Sequence, residues 1–227
     1  MKQLLLELIP PVPSTFENFV VGRNRELVHQ LRAALEPSAA ERFIYVWGAP
    51  GSGKSHLLEA FAARARTLGQ AAVRLGAVGF DEAQVPDDCL LVALDDVESL
   101  AGDAAQTALF NVYNDLRERG GALVASGAAA PGQLGLRPEL ATRLGWGLVY
   151  QVHGLTDEEK MEALAGRARE HGWPLPNEVA AYLMRHAARD LSFLLGTVEA
   201  LDRYSRETKR PITVPLLREI LPSAAED

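Results

Sequence analysis

At 227 residues and 48% hydrophobic content, the chain is long enough to bury a sizeable core, as one large domain or as a larger one with a small appendage. A formal charge of -7 argues against a broad basic surface of the kind that neutralises nucleic-acid phosphates. No run reaches the roughly 18 uninterrupted apolar residues of a membrane-spanning helix, the opening MKQLLLELIPPVP has no small-residue cleavage site, and the single Cys89 excludes an internal disulfide. A cytoplasmic protein with a buried, structural thiol is expected.

In chain order, residues 1–14 form a Pro-rich leader suited to an extended tail. Residues 43–152 then alternate short apolar runs with helical patterns, as βαβ units do. The runs are FIYVW (43–47), AAVRL (71–75), LLVAL (90–94), ALVAS (122–126) and GLVYQV (147–152). Each is too short for a helix and nearly all apolar, which predicts five parallel strands of one sheet covered by helices. Between the first two runs, Leu57, Leu58, Phe61, Ala65 and Leu68 recur at helical spacing before Gly69, so a helix is predicted from Lys54 to Leu68. From Leu155 the strand signal ends. Thr156-Asp157-Glu158-Glu159 is a capping box, His171-Gly172 closes that helix, and Asn177 and Thr213 are candidate caps for later ones. The expected organisation is therefore a leader (1–14), an α/β domain (15–154) and a small all-helical domain (155–227).

Gly48-Ala49-Pro50-Gly51-Ser52-Gly53-Lys54-Ser55 matches G-x-x-x-x-G-K-S/T in full, after a predicted strand and at the start of a predicted helix. Backbone N–H groups of such a turn curl around phosphates, and the helix N-terminus adds positive potential. The expected nucleotide-binding set on the loop is Gly48, Pro50, Gly51, Ser52, Gly53, Lys54, Ser55 and His56. Within it Lys54 reaches the terminal phosphates and the Ser55 hydroxyl ligates Mg²⁺. A plain Gly-rich turn would account for the glycines but not for the Lys-Ser pair.

The run 90–94 ends in Asp95-Asp96. A carboxylate at the tip of the strand beside the P-loop strand can hold Mg²⁺, and its neighbour can orient the attacking water. Asp95 is assigned to the metal and Asp96 to the water. Arg143 closes a predicted helix (138–144) and Arg189 stands within AARDLSFLL. By spacing alone both read as surface ion-pair residues, although an arginine can also stabilise charge on a transferring phosphoryl group.

The segments FENFVVGRNRELVHQL, YVWGAPGSGKSHLLEA, LDDVESL, FNVYNDLRERGGALVASG and ELATRLGWGLVYQVHGLTDEEKMEAL, in this order, resemble the DnaA/Hda family of AAA+ proteins over nearly the whole chain. Trp47, the Arg143-Leu144-Gly145-Trp146 turn and the ending ALDRYSRETKRPITVPLLREIL resemble its short, Hda-like members. The resemblance implies an AAA+ module with a helical lid. It also implies ADP or ATP with Mg²⁺ as cofactors, Ser126 as sensor 1, Arg189 as sensor 2 and Arg143 as an arginine finger acting in trans. Residues 16–23, with Phe19 and Val20, would pack around the adenine. Gln3, Leu4, Leu6 and Leu8 resemble a motif that inserts into the DNA polymerase III β sliding clamp; a Gln with spaced leucines is otherwise simply a tail.

The expected function is regulatory inactivation of the initiator DnaA. Docked on DNA-loaded clamp, the protein would stimulate hydrolysis of DnaA-bound ATP and so prevent re-initiation. Only PSAAED follows Leu221, where DnaA carries a DNA-reading domain, so no sequence-specific DNA binding is expected. Two alternatives stand beside this one: a helicase-loader-like motor that hydrolyses its own ATP, and a non-catalytic, nucleotide-gated clamp adaptor. Whether the chain self-associates is left open.

Overall fold

Each apolar run folds as a strand: β1 (Phe43–Trp47), β2 (Ala72–Gly76), β3 (Leu91–Asp95), β4 (Ala122–Gly127) and β5 (Leu148–Gln151). All pairings are parallel, in the order β2-β3-β4-β1-β5. This computed structural model describes residues 13–186 and 191–221. They form two compact units, Ser14–Gly154 and the part from Leu155 onward.

In the first unit the helices are α1 (Arg25–Ala33), α2 (Lys54–Thr67), α3 (Gly102–Glu118) and α4 (Pro138–Trp146). Strand alternation divides their packing. Ile44, Val46, Leu91, Ala93, Ala122 and Val124 meet α1 and α2 on one face of the sheet. Phe43, Tyr45, Val92, Leu94, Leu123 and Ala125 meet α3 and α4 on the other. The inner strands β3 and β4 are buried at every residue, whereas β2 and β5 at the edges are only partly covered. At about 25 cal/mol per Å², these two layers of aliphatic side chains supply most of the drive to fold.

One expectation is corrected here. The strand carrying Asp95 does not lie beside the P-loop strand, because β4 occupies the place between them. The β3-α3-β4 crossover returns the chain next to β3, and β4, apolar at nearly every position, suits a slot hydrogen-bonded on both sides. The consequence is chemical: Ser126 of β4 stands between the P-loop and the carboxylates of β3.

The second unit packs α5 (Asp157–Glu170), α6 (Asn177–His186), α7 (Leu191–Thr208) and α8 (Val214–Ile220) around Leu164, Val179, Leu183, Leu194, Val198, Leu201, Leu216 and Ile220. The Thr156 box closes as predicted: Glu159 N–H donates to the Thr156 hydroxyl (3.2 Å) and Thr156 N–H donates to the Glu159 carboxylate (2.7 Å). Asn177 is itself the first helical residue rather than the cap. Thr213 does hold the cap position of α8 but makes no side-chain cap bond; Pro215 at the second helical position removes one of the two N–H groups it could have capped. Buried Asp202 is satisfied by Nε and Nη2 of Arg206 (3.0 and 2.7 Å), one turn along α7. No helix among the described residues is long and apolar enough to cross a membrane.

Candidate functional site

The loop 48–53 links β1 to α2, with Gly48 and Ser52 buried and Ala49, Pro50 and Gly51 exposed. Gly53, the residue before the helix, sits at φ 103°, a conformation that side chains rarely adopt. A Cβ there would also lie 2.8 Å from the Phe19 ring. No side chain caps α2, so its first N–H groups open onto the loop. Lys54 is buried, and its ammonium donates to the carbonyls of Gly48 (2.9 Å) and Ala49 (3.4 Å). The Ser52 hydroxyl is buried without a partner. A helix N-terminus without a cap, an ammonium resting on its own loop and an orphaned hydroxyl together suit a polyanion such as a nucleotide's phosphates.

The segment before α1 lies against this loop. Phe19 packs on the His56 ring at 5.5 Å between centroids, and the Thr15 carbonyl meets His56 Nε2 at 2.9 Å. Val20 follows, half-buried. Asn24 holds this segment to the end of β5: its amide donates to the His153 carbonyl (2.9 Å), and His153 N–H donates to its Oδ1 (2.8 Å). Nothing in the spacing of Asn24 marks it out; only its burial shows its role.

At the tips of β3 and β4 the polar residues form one chain. Ser126 is fully buried. Its hydroxyl donates to Asp95 Oδ1 (2.5 Å) and accepts from the Asp96 N–H (3.0 Å). Asp95 Oδ2 accepts from Arg74 Nη2 at 2.6 Å. Ser55, in the first turn of α2, is exposed, so its hydroxyl is free to meet a cation. Ser55 and Asp95 are both oxygen donors, the type Mg²⁺ requires, although Asp95 would share its charge with Arg74.

Asp96 is exposed and left-handed, at φ 58°. The loss of water where the strand tips crowd together pushes its carboxyl up, Asp95 and Glu98 add to this, and Lys54 and Arg74 oppose it. A folded-state value above the unfolded one means that ionised Asp96 opposes folding at neutral pH. Asp96→Asn, which also tolerates the left-handed backbone, is therefore expected to raise the melting temperature at pH 7. For so exposed a group the gain is under about 1 kcal/mol after screening. It should vanish as pH falls below the ordinary carboxylate range, where both states of the wild type are protonated. Thermal melts of nucleotide-free protein from pH 3 to 8 measure this.

Arg143 lies elsewhere. It sits on α4, which packs on the sheet face opposite α2. Its guanidinium lies 4.1 Å from the centre of the Trp146 rings, with Phe110 and Tyr113 at 5.5 and 6.0 Å. It makes no ion pair among the described residues. Trp146 is 57% exposed. Arg189, Gln3, Leu4, Leu6 and Leu8 lie outside the described residues.

A five-stranded parallel sheet of this order, a P-loop after β1 and a helical unit after β5 make this an AAA+ module with a lid. Residues 12–79 match the model of the bacterial DnaA ATPase domain, and residues 157–221 match that of the Hda lid domain. The chain belongs to the DnaA/Hda family. Among solved structures it is similar to domain III of the replication initiation protein DnaA from Thermotoga maritima (TM-score 0.72, 22% identity, covering 93% of this chain and 97% of that one). It is similar also to AMPPCP-bound DnaA from Aquifex aeolicus (0.69, 24%, covering 86% and 68%). The Thermotoga maritima RuvB Holliday junction branch migration motor shares the fold (0.62, 15%, covering 94% and 72%).

Proposed function

We propose that this protein binds ADP or ATP, docks on the DNA-loaded sliding clamp through Gln3, Leu4, Leu6 and Leu8, and presents Arg143 to ATP held by DnaA. The outcome is conversion of DnaA to its ADP form and a block on re-initiation. In this reading residues 15–154 bind the nucleotide and residues 155–227, with Arg189, form the lid. The observation that carries it is the placement of Arg143. A finger for the chain's own nucleotide would face its own P-loop, whereas Arg143 stands on the opposite sheet face, next to an exposed tryptophan and with no carboxylate partner among the described residues.

Family membership supports the nucleotide site, as does the cradle that Lys54, Ser52 and the start of α2 form. Ser55 and Asp95 would hold Mg²⁺, whose charge offsets that of the phosphates when it is bound. Phe19 and Val20 would pack against the base. Asp96 and Ser126 would report on, or polarise, the distal phosphate end. Nucleotide bound here acts as a ligand that stabilises the fold by RT ln(1 + [L]/Kd) rather than as fuel.

Two measurements test the reading. Lys54→Ala should weaken binding of fluorescent ADP by about 10- to 100-fold, the worth of charge-assisted hydrogen bonds to phosphate; unchanged affinity would remove the loop from the site. Hydrolysis of ATP preloaded on DnaA should accelerate only when this protein and clamp-loaded DNA are both present. No acceleration in the complete mixture rejects the regulatory role, and turnover of ATP by this protein alone favours the motor.

A further inference from the structure

β2 carries no part of the P-loop motif, yet it sends one charged side chain into the site. Within AAVRL, Arg74 pairs in register with Ala93 of β3, and two residues on Gly76 pairs with Asp95. Alternation puts Ala93 and Asp95 on the α2 face, and Arg74 with them. The sheet itself thus brings the guanidinium to Asp95. Its Nη2 donates to Asp95 Oδ2 at 2.6 Å, and its Nε lies 3.8 Å from Glu59 Oε2 on α2. The Asp95 carboxylate is nearly buried, and the Arg74 side chain is about two-thirds covered.

The consequence follows from charge. Asp95 closes β3, Asp96 and Glu98 follow it, and Glu59 stands on α2, where Arg66 also pairs with it (3.0 Å); among the described residues, Lys54 and Arg74 are the cations set against the strand-tip carboxylates. A site that takes phosphates cannot leave a buried carboxylate uncompensated beside them. In a loop of this kind a divalent cation ordinarily compensates it. Here Arg74 already does so, and it is attached to the chain.

Resting on the nucleotide-binding reading above, we propose that Arg74 is the resident counter-cation of Asp95, so that a nucleoside diphosphate binds this chain with little dependence on divalent metal. Mg²⁺ competes with the guanidinium for Asp95 instead of completing an unfilled site. Removing the guanidinium charge exposes phosphate to Asp95 when metal is absent and makes Asp95 fully available when metal is present.

The test is equilibrium titration of the full chain with a fluorescent ADP, in excess Mg²⁺ and in excess EDTA. For the wild type the two dissociation constants should agree within about threefold, and Arg74→Met, which keeps the apolar stem, should bind about tenfold more weakly in EDTA while changing little in Mg²⁺. Arg74→Lys retains a charge and should resemble the wild type, which separates loss of charge from loss of fold. An equal Mg²⁺-to-EDTA ratio in Arg74→Met and wild type overturns the proposal, as does a wild type that itself loses about tenfold or more in EDTA. Failure of the wild type to bind in either condition instead rejects the nucleotide site on which the proposal rests.

Discussion

Arg143→Ala is expected to lower stimulated hydrolysis of DnaA-bound ATP by about 10³-fold or more, close to the unstimulated rate, because an arginine finger contributes about 10³ to 10⁵ in rate. ADP binding by the variant should stay as in the wild type, since α4 lies on the sheet face away from the loop. Arg143→Lys should fail almost as badly: an ammonium lacks both the planar fork that meets phosphate oxygens and the flat surface that stacks on Trp146. Undiminished stimulation by Arg143→Ala would overturn the finger assignment while leaving the nucleotide site untouched. In the proposed role, stacking on Trp146 supplies preorganisation. A guanidinium over an indole keeps its N–H edges outward and loses less freedom on meeting a partner than a mobile side chain would.

Gly147→Ala should cost about 3 kcal/mol or more, a fall of about 6 to 12 °C in melting temperature for a chain of this size. Gly147 joins α4 to β5 where that strand begins to pair with β1. A Cβ added there would stand 2.1 Å from the Phe43 carbonyl oxygen and 2.9 Å from its carbon. These are backbone atoms at the start of β1, so no side-chain rotation relieves the clash. The edge strand would have to move, and with it the helix end that carries Arg143. Gly145→Ala is the internal control: nothing lies within 4 Å of its added Cβ, and alanine favours a helix, so its melting temperature should match or slightly exceed that of the wild type. A Gly147→Ala melt within about 2 °C of wild type would show that this junction yields more easily than the backbone contact implies.

The elements themselves were legible because strands buried on both faces must be apolar almost throughout and because the Thr156 box carries its own start signal. The order of the strands was not legible, since nothing local in a β-strand says which run it pairs with. That gap hid the chemistry that depends on register. Asp95 reads as a metal ligand at a strand tip; that its two oxygens already serve Ser126 and Arg74 emerges only when β2, β3 and β4 lie side by side. Arg74 did leave a mark, a single charge inside AAVRL, but at an edge strand such a charge equally suits a solvent-facing position. Asn24 left none, because a buried amide bridging two backbone groups looks like any polar residue before a helix. The helix around Arg143 is legible in the sequence, although it runs to Trp146 rather than ending at Leu144, whereas the rings around Arg143 come from residues 110, 113 and 146, which no periodicity joins.

The Ser126 hydroxyl has one proton and one rotatable bond. With that proton given to Asp95 and a lone pair given to the Asp96 N–H, its torsion is held by both residues together. An anion reaching this side chain would have to win the proton from Asp95, and the same rotation would release Asp96. Rotation of this one hydroxyl among its few staggered settings thus couples the Asp95 carboxylate to the backbone at Asp96, so neither contact can be given up without disturbing the other.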